Sequence, residues 1–144
     1  MKVISNYQHV IEDISIPVNA PFKVVERDES SNWWCFVFED GIAITLTTFW
    51  RVLQNNKILR VSEDEGQLFG LEKPINLIEF LSQKLSGLVL TEIIIRKNTA
   101  DIVLLITEEI KIEVFISSSG YESYELWVGV KNYIGMGGGF LAIS

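Results

Sequence analysis

Two stretches of the chain, 68 residues apart, decide the predicted fold. The first reads Trp34-Cys35-Phe36-Val37-Phe38-Glu39-Asp40-Gly41-Ile42-Ala43-Ile44-Thr45-Leu46, and the second reads Ile102-Val103-Leu104-Leu105-Ile106-Thr107-Glu108-Glu109-Ile110-Lys111-Ile112-Glu113-Val114. They align without a gap, with apolar residues on apolar residues and an acidic pair at each turn. Each stretch is typical of two antiparallel strands joined by a tight turn. The match predicts two similar β units and favours an internal duplication.

Each unit is predicted to be a three-stranded meander. The predicted strands are about 22–27, 33–39 and 42–52 in the first unit, and about 89–96, 101–107 and 110–116 in the second. With their flanking segments, the units cover about residues 20–61 and 88–144.

One helix is predicted between the units, over about residues 76–86. Asn76 fits the N-cap, and Glu79 stands three residues later, as in a capping box. Gly87 is well placed to end the helix in a left-handed conformation. The predicted class is therefore α+β, mostly antiparallel β, in one domain spanning residues 1–144.

The tail carries three successive glycines, Gly137-Gly138-Gly139, before a predicted last strand at Phe140–Ile143. Three glycines do not make a stable strand interior. They predict either a bulged turn or a close approach of this backbone to another segment.

Charge and composition narrow the class of partner. The formal net charge is −7, which disfavours nucleic acid. An acidic surface attracts basic proteins, but it also simply keeps a β-rich protein soluble. The single cysteine, the absence of an apolar signal segment and the absence of a run of about 20 apolar residues predict a cytoplasmic protein with no membrane contact. Exposed edge strands leave a monomer or a weak homodimer open.

Catalytic, metal and cofactor sites are not expected. His9 is the only histidine, and Cys35 lies within an apolar run where burial makes a thiol inert. The glycine run lacks the Lys-Ser/Thr and the following helix of a phosphate loop. We therefore expect no metal, no cofactor and no enzymatic activity.

Carboxylates at turns are the better candidates for function, as contacts to a cationic partner. The turns at 39–40 and 108–109 are expected to approach each other if the units pack by pseudo-symmetry. Two aromatic residues are candidate anchors, although Trp50 also fits a buried structural corner. The predicted partner-binding residues are Asp40, Glu63, Asp64, Glu65, Glu122, Trp50 and Tyr121.

The tail also resembles a family of small bacterial domains of unknown function. Members carry a Tyr-Glu-x-Trp-Glu-Leu segment and end in a Gly-Gly-x-Leu-Ala run. The matching pieces here are Tyr121–Leu126 and Gly138–Ile143, with Tyr124 in place of the Trp and Gly137 in place of an expected Pro. The resemblance covers about residues 20–144.

Such domains are similar in character to immunity proteins, which neutralise a toxin domain. The resemblance thus implies a protein that binds a basic toxin, for example a nuclease, and occludes its active site. The alternative is a small-molecule or regulatory binding domain with a pocket between the two β units, near Tyr121 and Glu122.

Overall fold

The computed structural model describes residues 6–144, with side chains from residue 8 onward. Residues 1–5, on which the expectation of no secretory signal partly depends, lie outside the described part. The described chain forms one helix, α1 (Leu77–Leu85), and twelve strands. The strands are β1 (Asn6–His9), β2 (Ile14–Asp28), β3 (Trp33–Phe38), β4 (Ile42–Leu46), β5 (Trp50–Gln54), β6 (Lys57–Val61), β7 (Val89–Ile95), β8 (Ile102–Ile106), β9 (Ile110–Val114), β10 (Tyr124–Val128), β11 (Lys131–Gly135) and β12 (Phe140–Ile143).

The strands pair in the order β1-β12-β11-β10-β4-β3-β2-β7-β8-β9-β5-β6, and every pair is antiparallel. The prediction of a mostly antiparallel β protein is confirmed. The α+β class is corrected to nearly all-β, because one nine-residue helix and two single-turn 3-10 helices at 62–64 and 137–139 are the only helical segments of residues 6–144. None of these helices is long and apolar enough to cross a membrane.

The long strand β2 joins the two halves of the molecule. Its second part, from Phe22, pairs with β3, and its first part, up to Pro21, pairs with β7. The predicted start of this strand, at about residue 22, was wrong, because β2 already begins at Ile14. The additional segment, residues 14–21, contains two prolines. Because it belongs to both ladders, β2 fixes how the two halves meet.

The two hairpins singled out in the sequence have matching registers. Trp34 lies opposite Leu46 in the β3–β4 pair, and Ile102 lies opposite Val114 in the β8–β9 pair. The strands of both hairpins alternate in the same way between buried and half-buried side chains. Each hairpin therefore presents one apolar face to the interior.

The chain exchanges strands between the halves, which the sequence did not predict. The predicted strand 42–52 is interrupted at 47–49, and the following β5 pairs with β9 rather than continuing beside β3. In the same way, β9 ends at Val114, and β10 pairs with β4. The connections at 47–49 and 115–123 therefore carry the chain from one half to the other in opposite directions.

The helix α1 forms where the sequence predicted it, and it packs against one side of the sheet. The Asn76 side chain accepts a 3.0 Å hydrogen bond from the Glu79 backbone N–H, and Gly87 has φ +79°. The buried stripe of α1 packs against β2, and its members are Leu77, Leu81 and Leu85. The predicted helix and its N-cap are thus confirmed.

The glycine run serves close backbone approach within a 3-10 turn. A Cβ on Gly137 would lie 2.4 Å from the backbone nitrogen of Gly120, and a Cβ on Gly139 would lie 2.4 Å from the carbonyl oxygen of Asn98. No side chain fits at these distances. Of the two predicted uses of the run, close approach is the one that explains why glycine is needed.

Candidate binding surface

The two exchanging connections meet at one end of the molecule, which we call the crossover end (residues 29–32, 47–49, 62–72 and 115–123). The buried hydroxyl of Thr48 donates to the carbonyl of Phe115 and lies 2.7 Å from the hydroxyl of Ser117. The Thr47 backbone N–H donates a 3.1 Å hydrogen bond to the carbonyl of Ser123. These bonds hold the connections against each other and provide a fixed base for the loops around them.

A polar cavity of about 430 Å³ opens beside this crossing. We call it the crossover cavity. It is lined by Arg27, Asn32, Trp34, Thr47, Thr48, Phe49, Ser62, Glu63, Glu65, Gln67 and Ser117. Its wall therefore combines residues of the first β unit, the loop before α1 and one residue of the second unit.

Arg27 is the one cation among the cavity residues. Its guanidinium lies over the Trp34 ring, 5.1 Å from the centroid, and donates a 3.1 Å hydrogen bond to the side-chain oxygen of Asn32. The nearest carboxylate oxygen, Oε2 of Glu65, is 4.0 Å from Nη1. That distance is too long for a hydrogen bond. The guanidinium is thus held in place by an aromatic ring and a neutral amide.

Two of the three carboxylates in the predicted acidic cluster at 63–65 accept backbone hydrogen bonds, and the third does not. Oδ2 of Asp64 accepts from the Val61 backbone N–H at 2.9 Å, and Oε1 of Glu65 accepts from the Leu77 backbone N–H at 3.1 Å. Glu65 therefore holds the first residue of α1. Glu63 is exposed and has no hydrogen-bond or ion-pair partner within residues 8–144. Only Glu63 of the three is fully available to a partner.

Glu122 and Tyr121 lie at the same end as Glu63. A second depression of about 210 Å³ is lined by Thr45–Thr47 and Glu122–Glu125, and it shares Thr47 with the crossover cavity. The Tyr121 side chain is 81% exposed. The structure therefore places these three predicted residues at one end of the molecule. Residues of both β units line this second depression.

Asp40 does not belong to this surface. It lies in the β3–β4 turn, where the carbonyl of Gly41 accepts a 3.2 Å hydrogen bond from the Gly129 backbone N–H. That turn precedes β4, whereas Thr47 follows it. At about 3.3 Å per strand residue, the two ends are roughly 20 Å apart.

The turns at 39–40 and 108–109 lie at one end of the β2–β7 ladder, where β7 begins. The Glu39 backbone N–H donates to the carbonyl of Pro21, and the Thr107 backbone N–H donates to the carbonyl of Val89, both at 2.9 Å. Pro21 and Val89 are opposite each other in that ladder. The two acidic turns therefore lie on either side of one strand pair, away from the crossover end.

Trp50 is a core residue, which corrects its assignment as an anchor. It is 0% exposed and makes edge-on contacts with Trp34 and Phe36, with ring centroids 5.2 and 5.3 Å away. It begins β5 directly after the crossover, and its side chain points into the interior. A side chain without exposed surface does not reach a partner, so the interpretation as a structural corner is the correct one.

The sequence reasoning missed an exposed apolar loop at the crossover end. Leu68, Phe69 and Leu71 are all exposed, and Phe69 is 68% exposed with φ +44°. The adjoining Gln67 lines the crossover cavity. The available signal was three large apolar residues around Gly70 without strand or helix periodicity. We call residues 68–71 the apolar loop.

Cys35 and His9, the two residues considered for catalysis, each lie against a neighbouring side chain. Burial raises the pKa of the Cys35 thiol, and the Thr45 hydroxyl lies 3.4 Å from its sulfur. The His9 ring packs edge-on against Phe140 at 5.1 Å. Among the residues that the structure describes, no group of three His, Cys, Asp or Glu side chains is arranged to hold a metal ion.

No protein-family model, no curated protein and no solved structure matches the chain. Inferences about the crossover end therefore depend on its own residues.

Proposed function

We propose that the chain is an immunity-type protein of the bacterial cytoplasm that neutralises a basic toxin domain by tight stoichiometric binding. The single observation that supports this most directly is the exposed apolar loop among unpaired carboxylates. The proposed contact surface is the crossover end, with the apolar loop, Tyr121, Glu63 and Glu122.

The apolar loop supports binding because its side chains contribute little to this chain's own core. Leu68, Phe69 and Leu71 are more than half exposed, whereas the core of the described chain is complete without them. Contiguous exposed apolar surface commonly marks an interaction site. Aromatic residues such as Phe69 and Tyr121 are frequent energetic anchors in interfaces.

The charge supports a basic partner. Glu63, Glu72 and Glu122 are exposed and unpaired in the described chain, and the whole sequence carries −7. Complementary charge accelerates encounter and excludes acidic partners, while the apolar residues supply most of the affinity. The proposed mechanism is occlusion: the acidic rim covers the cationic groove in which the toxin would hold its substrate. This assigns no catalytic step and no cofactor to the chain.

We also infer that the two β units arose by duplication. The registers Trp34–Leu46 and Ile102–Val114 agree at the same offset, as do Phe22–Phe38 and Leu90–Ile106. The crossing connections differ, with three residues at 47–49 and nine at 115–123. On this view the shared parts build the core, and the parts that differ build the binding surface.

The proposal requires that a basic toxin is encoded next to this chain, and the test is coexpression with that neighbour. The expected result is that the neighbour is toxic alone, that this chain relieves its toxicity, and that the two form a one-to-one complex that salt weakens. The double variant Glu63→Lys/Glu122→Lys should lose protection. The matched control, Glu108→Lys/Glu109→Lys, changes the net charge equally at the β8–β9 turn and should still protect.

Equal loss of protection in both double variants would contradict the assigned surface, because only net charge would then matter. A neighbour that is harmless, or whose toxicity this chain leaves unchanged, would contradict the proposed function.

A further inference from the structure

We propose that the crossover cavity binds a small zwitterion of the α-amino-acid class, with the ligand carboxylate at Arg27 and the ligand amine at Glu63 and Glu65. This inference does not depend on the neutralising function, because it concerns the free chain.

The size and lining of the cavity suit a small polar ligand. Its volume of about 430 Å³ lies within the range of roughly 300–1,000 Å³ that is usual for small-molecule sites. Neutral hydrogen-bonding groups surround the charged residues, namely the side chains of Asn32, Thr47, Gln67 and Ser117. Such groups accept and donate hydrogen bonds with either end of a zwitterion.

Arg27 has the features of a carboxylate receptor. A guanidinium has five N–H donors, and the one hydrogen bond that Arg27 makes within the described chain runs from Nη2 to a neutral amide, while its Nε–H is buried and has no acceptor. Stacking on Trp34 holds the planar group in one orientation before any ligand arrives. The 4.0 Å separation between Nη1 and the Glu65 carboxylate leaves the positive charge without a hydrogen-bonded counterion. A ligand carboxylate would supply that counterion.

The two glutamates require the ligand to carry a positive charge as well. Glu63 has no partner, and Oε2 of Glu65 is not hydrogen-bonded, because only Oε1 is used to hold Leu77. The three charged side chains of the cavity therefore sum to one net negative charge. A simple anion would be repelled by the glutamates, and a simple cation would leave the Arg27 guanidinium without a hydrogen-bonded carboxylate, because Oε2 of Glu65 is 4.0 Å away. A molecule with both charges provides an acceptor for Arg27 and an N–H donor that the two glutamates share.

The experiment is NMR titration of the ¹⁵N-labelled full chain with each standard L-amino acid added singly. We expect at least one of them to shift the side-chain Nε–H signal of Arg27, the indole signal of Trp34 and the amide signals of Gln67 in a saturable way. Two analogues of that amino acid serve as controls, the amine that lacks the carboxylate and the acid that lacks the amine. Each should bind with an affinity at least about tenfold lower than that of the amino acid.

Variants locate the site. Arg27→Gln and Glu63→Gln should each weaken binding about tenfold or more, whereas Glu109→Gln, at the distant β8–β9 turn, should bind like the wild type. Glu63 is exposed and unpaired, so its variant tests the site even if Arg27→Gln does not fold. The inference is overturned if no amino acid shifts these signals at millimolar concentration, or if the amine alone binds as tightly as the amino acid. Neither result depends on whether the chain neutralises a toxin.

Discussion

The phenol of Tyr124 donates a 2.8 Å hydrogen bond to the backbone carbonyl of Ala100. Tyr124 begins β10 and Ala100 lies in the β7–β8 turn with φ +63°, so the bond connects one half of the molecule to the other. Both residues are buried, and Tyr124 is 3% exposed. This contact fixes the second crossing connection, the segment that also carries Tyr121 and Glu122.

Tyr124→Phe is expected to lower the free energy of unfolding by about 1–3 kcal/mol, because a buried carbonyl loses its partner. Chemical denaturation of the two proteins measures the difference. Tyr121→Phe is the control, since the Tyr121 side chain is exposed and has no partner in the described chain. An unchanged stability for Tyr124→Phe would show that the bond contributes nothing.

Stability is also expected to fall at alkaline pH because of Tyr124. Burial, reinforced by the negative charge of Asp101, raises the pKa of this phenol far above its ordinary value of about 10. Above pH 10 the unfolded chain releases the proton while the folded chain keeps it, so folding loses about 1.4 kcal/mol per further pH unit from this group. Below pH 10 the group contributes no pH dependence.

Comparison with Tyr124→Phe isolates this effect from other alkaline titrations. The stability advantage of the wild type over the variant should stay constant up to about pH 10 and shrink above it. If the difference in stability between the wild type and the variant stayed constant above pH 10, the pKa of Tyr124 would not be raised in the folded chain, and this prediction would be wrong.

Gly139→Ala is expected to be much more destabilising than Gly70→Ala. Both glycines have positive φ, +87° and +80°, so both substitutions cost roughly 1–2 kcal/mol of backbone strain. Only at Gly139 would the new Cβ also lie 2.4 Å from a backbone oxygen, that of Asn98. Overpacking should add about 1–3 kcal/mol there, measured by thermal or chemical unfolding. Equal losses would contradict the close approach.

Trp50→Ala is expected to cost about 3–5 kcal/mol of stability, as for other large aromatic residues removed from a core. Trp127→Ala, at a side chain that is more than a third exposed, should cost less. Partner binding by any folded Trp50 variant should be unchanged. A stable Trp50→Ala protein with weakened partner binding would restore the anchor interpretation.

The elements that the sequence predicted well are those with strong local signals. Asn76, Glu79 and Gly87 defined the helix because caps act within a few residues. The turn at Gly41 and the alternating strands around it defined the first hairpin. Such signals depend on neighbours along the chain and need no tertiary contact.

The missed features depend on distant contacts. Prolines such as Pro17 and Pro21 are unfavourable inside a strand, yet residues 14–21 pair with β7 across an irregular register. The break at Thr47–Phe49 contains no glycine or proline, so the exchange of β5 to the other half left no trace in the sequence. The different roles of Glu63 and Glu65 also became visible only in the fold. There, a carboxylate oxygen of Glu65 accepts a hydrogen bond from the first residue of α1, whereas Glu63 has no partner in the described chain.

Hydrogen–deuterium exchange of the chain, with and without the basic partner that we propose, tests the central claim most directly. Our account predicts slower exchange on binding at residues 62–72 and 117–123, with little change at the turns 39–41 and 129–130. Protection confined to those two turns, or spread evenly over the chain, would contradict binding through the crossover end.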